Sequence, residues 1–204
     1  MIDPFNIIIT GVGGQGNVLA ARMLGNTLAK SGYHVTIGET FGASQRGGSV
    51  MSHLRVSKES AWSPQIPKGR AHLIIALEPI ESLRVLAAYG NRDVVVISNT
   101  RPIYPVGVIS GDFAYPSLPE LNSAMGELCD DKRFINATEE ALSLGNPILG
   151  NVIMVGAAAG TGLLSIEDSS FESVISENVP ASKVKINMEA YRKGKEMVKA
   201  PIKF

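Results

Sequence analysis

Residues 6–24 of the chain read NIIITGVGGQGNVLAARML. A run of isoleucines passes into a cluster of glycines and then into a segment whose apolar residues recur at helical spacing. Gly11, Gly13 and Gly16 satisfy the pattern G-x-G-x-x-G between a predicted strand and a predicted helix. This order of strand, tight turn and helix predicts that the chain opens a layered α/β fold.

The rest of the chain continues to alternate strands with helices. Residues 33–38 predict a second strand, and its position after a helix favours parallel pairing with the first strand. In a third predicted strand, Leu54 and Val56 point to one face while His53 and Arg55 point to the other. The proline-interrupted stretch after this strand predicts a loop. The other predicted elements are strands at 71–78, 93–99, 105–110 and 133–137, and helices at 79–90, at 119–128 and in four stretches after Asn136.

The length of 204 residues is typical of one domain, and we expect it to span residues 1–204. The alternation predicts a three-layer α/β/α sandwich with a helical carboxyl-terminal region at 137–204. Within that region, Gly156 and Gly160 lie four residues apart and predict close packing of helix backbones.

The glycine loop allows two readings that the residues alone leave open. Gly11, Gly13, Gly14 and Gly16 permit a tight turn and a close backbone approach to a phosphate, and the following helix has a positive amino-terminal end. In a dinucleotide-binding protein, Glu39 would lie after the second strand and would hold a ribose hydroxyl. Alternatively, the glycines serve only the packing of strand against helix.

A second glycine-rich loop, GASQRGGSV at residues 42–50, follows the second predicted strand. Loops that leave the carboxyl ends of parallel strands converge, so we expect the two loops to share one crevice. Arg46 would offer a fixed positive fork to a phosphate or carboxylate, and Gln45 a polar contact. A surface hairpin with a solvated arginine is the alternative. The candidate site residues of this second loop are Ser44, Gln45, Arg46, Gly47 and Gly48.

Composition narrows the class of protein. The net charge is zero at pH 7, so no basic field attracts nucleic acid or an anionic membrane. The amino terminus lacks the features of a signal peptide, and the apolar run 152–164 is shorter than the roughly 20 residues that span a bilayer. We therefore expect a cytoplasmic protein.

The single cysteine of the chain, Cys129, excludes an internal disulfide and a cysteine-ligated cluster built from this chain alone.

The sequence contains no complete catalytic set. Arg46 stands where a G-x-S-x-G nucleophile motif needs glycine. His34, His53 and His72 lie far apart and lack ligand spacing, so we predict no metal site. Gly111-Asp112 is not followed by the paired asparagines of a thiamine diphosphate and magnesium motif. The absence of these features favours a subunit that completes a site housed in another chain.

Four stretches together resemble one known family. They are ITGVGGQGNVLAARMLGNTLAKSGYHV, GASQRGGSVMSHLR, SPQIPKGRAHLIIALEPIESLR and NPILGNVIMVGA. In this order and spacing they are similar to the gamma-type subunits of 2-oxoacid:ferredoxin oxidoreductases, with the greatest likeness to the indolepyruvate-type branch. The likeness runs from Asn6 to about Met197.

The resemblance implies a mixed, mainly parallel sheet and a role in a larger enzyme. Enzymes of this family oxidatively decarboxylate a 2-oxoacid, transfer the acyl group to coenzyme A and pass electrons to ferredoxin. The resemblance further implies that the large partner subunit carries thiamine diphosphate, magnesium and the iron–sulfur clusters. The two glycine loops would face coenzyme A, the partner subunit, or neither, and no residue of this chain is assigned a catalytic role.

Other functions stay open at this point. The chain could be the gamma subunit of a related pyruvate, 2-ketoisovalerate or 2-oxoglutarate enzyme. A Rossmann-like NAD-dependent dehydrogenase and a non-enzymatic nucleotide-binding module are the alternatives from other classes. Self-association of the isolated chain is also left open.

Overall fold

The computed structural model describes residues 2–41, 48–202 and 204. Its elements follow one another as β1 (Phe5–Val12), α1 (Asn17–Lys30), β2 (His34–Phe41), β3 (Ser49–Ser57), β4 (Leu73–Ala76), α2 (Pro79–Tyr89), β5 (Val95–Asn99), α3 (Val106–Ile109), α4 (Leu118–Gly126), β6 (Asp131–Ile135), α5 (Ala137–Ser143), α6 (Leu149–Gly160), α7 (Asp168–Asn178) and α8 (Ala181–Met197).

The strands form one sheet in the order β2-β3-β1-β4-β5-β6. The strand β3 runs antiparallel to both of its neighbours, whereas β1, β4, β5 and β6 pair in parallel. The expected mixed, mainly parallel sheet is thus confirmed, but the predicted pairing of the first two strands is wrong. Only a short connection separates β2 from β3, which makes them antiparallel partners, and β3 then lies between β2 and β1.

Both faces of the sheet are covered, which confirms the predicted three-layer sandwich. Ile7 and Ile9 of β1 point into a core that also contains apolar residues of α1, α6, α7 and α8. The intervening Ile8 points the other way, into a second core with residues of α2 such as Val85 and Leu86. The alternation of strand side chains therefore divides one apolar strand between two layers.

The predicted facing of β3 is confirmed, although neither face is open to solvent. Leu54 and Val56 belong to the core on the α1 side. On the other side His53 and Arg55 are also buried, because the loop after β3 covers them. The Ile66 N–H donates to Nδ1 of His53 at 3.3 Å, and the guanidinium of Arg55 lies 5.0 Å from the ring centre of Trp62.

One predicted strand is wrong. Residues 105–110, expected to be extended, contain the short helix α3. Pro105 occupies the N-cap position of this helix, and Val106 and Ile109 are exposed, so no sheet covers their β-branched side chains. The strand predicted at 133–137 is confirmed as the end of β6, and the helices predicted after Asn136 are confirmed as α5 to α8.

The helices α6 and α8 pack with their backbones in contact. A Cβ at Gly156 would overlap the carbonyl oxygen of Tyr191, and one at Gly160 would lie 2.7 Å from Cα of Lys195. A Cβ at Gly194 of α8 would likewise overlap the Ile153 carbonyl oxygen. The predicted close backbone packing is confirmed within one chain. Among the helices described here, none is both long and apolar enough to cross a bilayer.

This contact predicts a large difference between two glycine substitutions. Gly194→Ala should cost at least about 2 kcal/mol and lower the melting temperature by about 4 °C or more, because the helices must separate to admit a methyl group. Gly150→Ala in α6 is the control, since its Cβ would meet its nearest atoms at 3.9 Å. Helix propensity should make that variant as stable as the wild type or more so. Equal melting temperatures for both variants in calorimetry would contradict the packing argument.

Candidate functional site

The candidate site lies at the carboxyl ends of β1, β4 and β5. The helix α1, which follows β1, packs on one face of the sheet, while α2, which follows β4, packs on the other. Loops that diverge to opposite faces leave a crevice between the two strands, and such crevices are the usual ligand sites of open α/β sheets. The glycine loop, residues 11–16, lies at this crevice.

The glycines of the loop are explained by packing and backbone conformation. A Cβ on Gly11 would lie 2.7 Å from Oε1 of Gln15 and 2.9 Å from Oδ1 of Asn17. Gly16, the N-cap of α1, has a left-handed φ of 85°, and a Cβ on it would overlap the side-chain amide of Asn151 from α6. Each of these positions excludes a side chain without any need for a bound phosphate.

Gln15 closes the loop with both ends of its side-chain amide. Its Oε1 accepts from the Val12 N–H at 2.8 Å, and its Nε2 donates to the Leu77 carbonyl at 3.0 Å. The Gly13 N–H donates to the Gly48 carbonyl at 2.8 Å. These bonds engage the backbone N–H groups of Val12 and Gly13, so these two donors serve the fold and not a ligand.

The Leu77 carbonyl also receives a bond from the end of β5. Nδ2 of Asn99 donates to this carbonyl at 3.2 Å and to Oγ1 of Thr138 at 2.9 Å, while Oδ1 of Asn99 accepts from the Thr138 N–H at 3.3 Å. The loop after β1, the end of β5 and the first turn of α5 are therefore held together around one carbonyl.

A cavity of about 550 Å³ opens beside this network. Gly16, the N-cap of α1, and Leu19 of that helix line it on one side, and Gly150 and Asn151 of α6 line it on another. Two helix dipoles thus place their positive ends at the cavity, and Gly16 as N-cap has no side chain to accept from the first turn of α1. Arg101 is exposed at the cavity and forms no ion pair with a described carboxylate. The crevice is suited to an anionic group.

Sequence reasoning missed the polar residues contributed by other elements. Asn99, Arg101 and Thr138 line the cavity but belong to none of the four quoted stretches, and Asn151 lies in one of them, NPILGNVIMVGA, without being predicted as a site residue. The only signal in the sequence was the polar run SNTR at the end of the fifth strand, since residues at strand ends converge.

The second glycine loop is described only at its end. Ser44, Gln45, Arg46 and Gly47 lie outside the described residues. Gly48 is described, and its carbonyl accepts the Gly13 N–H. The structure thus brings Gly48, the last glycine of the second loop, against the first loop.

Glu39 does not lie where a dinucleotide-binding protein needs its acidic residue. It pairs with Ser52 of β3, which in turn pairs with Ile9 of β1. Two strand spacings of about 4.8 Å therefore separate its backbone from β1, because the antiparallel strand lies between them. The expectation that Glu39 binds a ribose is therefore wrong in this sheet. Of the two features that favoured a dinucleotide-binding dehydrogenase, the glycine pattern and the acidic residue, only the glycine pattern is left.

A smaller cavity of about 300 Å³ lies nearby and contains two buried carboxylates. Glu78, the N-cap of α2, accepts from the Glu81 N–H at 2.9 Å, from the Ile103 N–H at 3.3 Å and from the Tyr115 hydroxyl. Burial, with the hydrogen bond to Glu78, raises the pKa of Tyr115, so this phenol is a neutral donor. The loop after β5 is thereby tied to the start of α2.

Glu81 connects α2 to the start of β3. The Ser49 hydroxyl donates to its Oε2 at 2.5 Å, and Nη1 of Arg84 lies 3.0 Å from its Oε1. Burial raises the pKa of the Glu81 carboxyl, and the bond from Ser49 and the charge of Arg84 oppose this shift. Because Ser49 lies near the end of the second glycine loop, Glu81 holds the end of that loop in place.

His53, His72 and the single cysteine have structural environments. Burial lowers the pKa of His53 and of His72, and Nδ1 of each accepts a backbone N–H. Burial raises the pKa of the Cys129 thiol, which belongs to the core beneath α2. Within the described ranges, no group of three or more His, Cys, Asp or Glu side chains is placed to hold a metal.

Comparison with known proteins gives consistent results along the whole chain. Residues 6–197 match the family model described as pyruvate ferredoxin/flavodoxin oxidoreductase. The chain is 38% identical over 199 residues to indolepyruvate oxidoreductase subunit IorB of Pyrococcus horikoshii, covering 97% of this chain and 98% of that relative.

Two solved structures share the fold at low identity. Pyruvate oxidoreductase subunit PORC of Thermotoga maritima matches with a TM-score of 0.72 and 19% identity, covering 96% of this chain and 97% of its own. The 2-oxoglutarate:ferredoxin oxidoreductase of Magnetococcus marinus, with 2-oxoglutarate, coenzyme A and succinyl-CoA bound, matches with a TM-score of 0.74 and 21% identity. That match covers 100% of this chain but 32% of the longer chain.

The role of Gln15 predicts that an isosteric change destabilises the loop. In Gln15→Glu a carboxylate oxygen would face the Leu77 carbonyl in place of an N–H donor, at a cost of about 1–3 kcal/mol. Chemical denaturation would measure this loss, and faster hydrogen exchange at Val12 would place it in the loop. Gln65→Glu, the same change on an exposed side chain, should alter stability by less than about 0.5 kcal/mol. Equal effects of the two changes on stability would show that the Gln15 side chain does not hold the glycine loop closed.

The environment of Glu81 predicts a stability that falls as pH rises. The pKa of this carboxyl is higher in the folded protein than in the unfolded chain, so the folded state binds more protons between the two values. Glu81→Gln should therefore gain melting temperature relative to the wild type as pH increases from about 4 to about 8. Ser49→Ala, which removes a bond that lowers the pKa, should extend the sensitive range upward. If the melting temperatures of the wild type and of Glu81→Gln changed in parallel with pH, the assignment would be disproved.

Proposed function

The chain belongs to the pyruvate ferredoxin/flavodoxin oxidoreductase family, as its motifs predicted, and on this premise we propose that it is the small subunit of an indolepyruvate:ferredoxin oxidoreductase. The proposed complex oxidatively decarboxylates aryl pyruvates, transfers the acyl group to coenzyme A and passes electrons to ferredoxin. The observation that carries the proposal is the whole-length likeness of 38% to an indolepyruvate oxidoreductase subunit, against 32% over 193 residues for a pyruvate synthase subunit.

The residues of this chain do not fit the redox cofactors of such a complex. An iron–sulfur cluster needs several thiolate ligands, whereas the sequence contains one cysteine. Burial raises the pKa of that cysteine, Cys129, and so keeps it a thiol. We infer that thiamine diphosphate, magnesium and the clusters are held by the large subunit, and that the isolated small subunit is inactive.

The contribution proposed for this chain is to place an anionic co-substrate or the partner subunit beside the reaction. We propose that Gly13, Gly14, Gln15 and Gly16, with Gln45 and Arg46 of the second loop, form the face that does this. The positive helix ends at the cavity and Arg101, which forms no ion pair with a carboxylate among the described residues, favour an anion such as the phosphates of coenzyme A. Gln15 would act in this face through the loop conformation that its side chain maintains.

Reconstitution with the cognate large subunit tests the function. We expect ferredoxin reduction that requires both subunits, coenzyme A and an aryl pyruvate such as indolepyruvate. Within this complex, Arg46→Ala and Arg101→Ala should each raise the KM for coenzyme A by about tenfold or more if the crevice holds its phosphates. If the face instead contacts the large subunit, the same variants should weaken assembly, as measured by calorimetry.

Arg92→Ala is the matched control for these variants. Arg92 precedes β5 and contacts the Gly126 carbonyl and Asp130. It therefore lies at the amino ends of the parallel strands, whereas the glycine loop lies at their carboxyl ends. Its removal should leave both the KM for coenzyme A and the assembly constant unchanged. The site assignment is overturned if Arg46→Ala and Arg101→Ala behave like this control. Pyruvate or 2-oxoglutarate as the preferred substrate would instead assign the chain to a related enzyme.

A further inference from the structure

The segment between β5 and α4 presents a group of apolar side chains to solvent. In residues 103–113, which we call the apolar knob, Val106, Ile109 and Phe113 are 81%, 74% and 72% exposed. The only charged residue of the knob, Asp112, accepts a hydrogen bond from Ser110 at 2.6 Å. A group of exposed apolar side chains in one short segment is typical of a protein interaction site.

The apolar knob has a defined internal structure that holds these side chains outward. The Ser110 N–H donates to the Val106 carbonyl at 2.8 Å, and the Phe113 N–H donates to the Gly107 carbonyl at 3.0 Å. The Phe113 ring packs against Gly107, where a Cβ would lie 2.6 Å from Cδ2 of the ring. The exposure of Val106 and Ile109 is therefore a property of an ordered turn.

Buried groups anchor the base of the apolar knob. The carboxylate of Glu78 accepts from the Ile103 N–H at 3.3 Å and from the Tyr115 hydroxyl. The rings of Tyr104 and Tyr115 meet edge to face, with their centres 5.2 Å apart. Because a preorganised surface loses little conformational entropy on binding, this anchoring favours a docking role.

We propose that the apolar knob docks into an apolar recess of the large, thiamine-containing subunit, an inference that rests on the proposed function. Ile103 lines both cavities at the carboxyl edge of the sheet, so the knob borders the face assigned to co-substrate and partner. The fold occurs as 32% of a longer chain in the Magnetococcus marinus enzyme, where it is joined to further polypeptide. The near absence of charge in the knob points to an apolar protein surface as its complement.

A pair of double variants tests the proposal in the reconstituted complex. Val106→Ser with Ile109→Ser should weaken binding to the large subunit by about tenfold or more, because two anchors lose their apolar contacts. The melting temperature of the isolated small subunit should not change, since both side chains are exposed. Ile2→Ser with Leu142→Ser removes two side chains that are 60% and 51% exposed elsewhere, and should bind like the wild type.

The outcomes separate this inference from the proposed function. If the wild-type chain assembles into an active complex and the knob variant binds equally well, the inference alone is overturned. If sedimentation shows that the knob variant instead dissociates a homodimer and keeps its affinity for the large subunit, the knob joins two small subunits and the proposal is wrong. If the wild-type chain does not bind the large subunit, the proposed function fails and the inference fails with it.

Discussion

The backbone of Leu77 joins the carboxyl ends of three strands. Its N–H donates to the Thr10 carbonyl of β1, and its carbonyl accepts from Gln15 at 3.0 Å and from Asn99 at 3.2 Å. A carbonyl oxygen has two lone pairs, and both are used here. Because Gln15 closes the glycine loop and Asn99 fixes Thr138 in α5, the shape of the crevice depends on this one peptide unit.

The glycine cluster shows how one sequence pattern can serve two purposes. A dinucleotide fingerprint and this loop both need residues without side chains where a strand turns into a helix. Here the space at Gly11 is taken by the amides of Gln15 and Asn17, and the space at Gly16 by Asn151. The difference from a dinucleotide-binding sheet lies in β3, which separates the glycine loop from Glu39. The pattern therefore identified the turn but not the ligand.

The carboxyl edge of the sheet combines a polar crevice with an apolar projection. Glu78 links them, since it caps α2 beside the crevice and holds Ile103 and Tyr115 at the base of the apolar knob. A chain with one cysteine has no ligand set for an electron-transfer cluster. What the described residues do supply at the carboxyl ends of the strands is a polar crevice and an exposed apolar segment.

Much of this fold followed from the sequence alone, because its signals are local. The strand and helix around the glycine loop, the two-faced β3 and the close packing at Gly156 can each be read from neighbours in the chain. The antiparallel insertion of β3, the helix at 106–109 and the crevice residues Asn99, Arg101 and Thr138 could not be read in this way. The partners of β3 and of the crevice residues lie far away in the sequence, so the sequence determined most of the elements and the family. Only the tertiary structure decided which strands are neighbours and which polar side chains meet, because hydrogen bonds and burial depend on distances that folding alone creates.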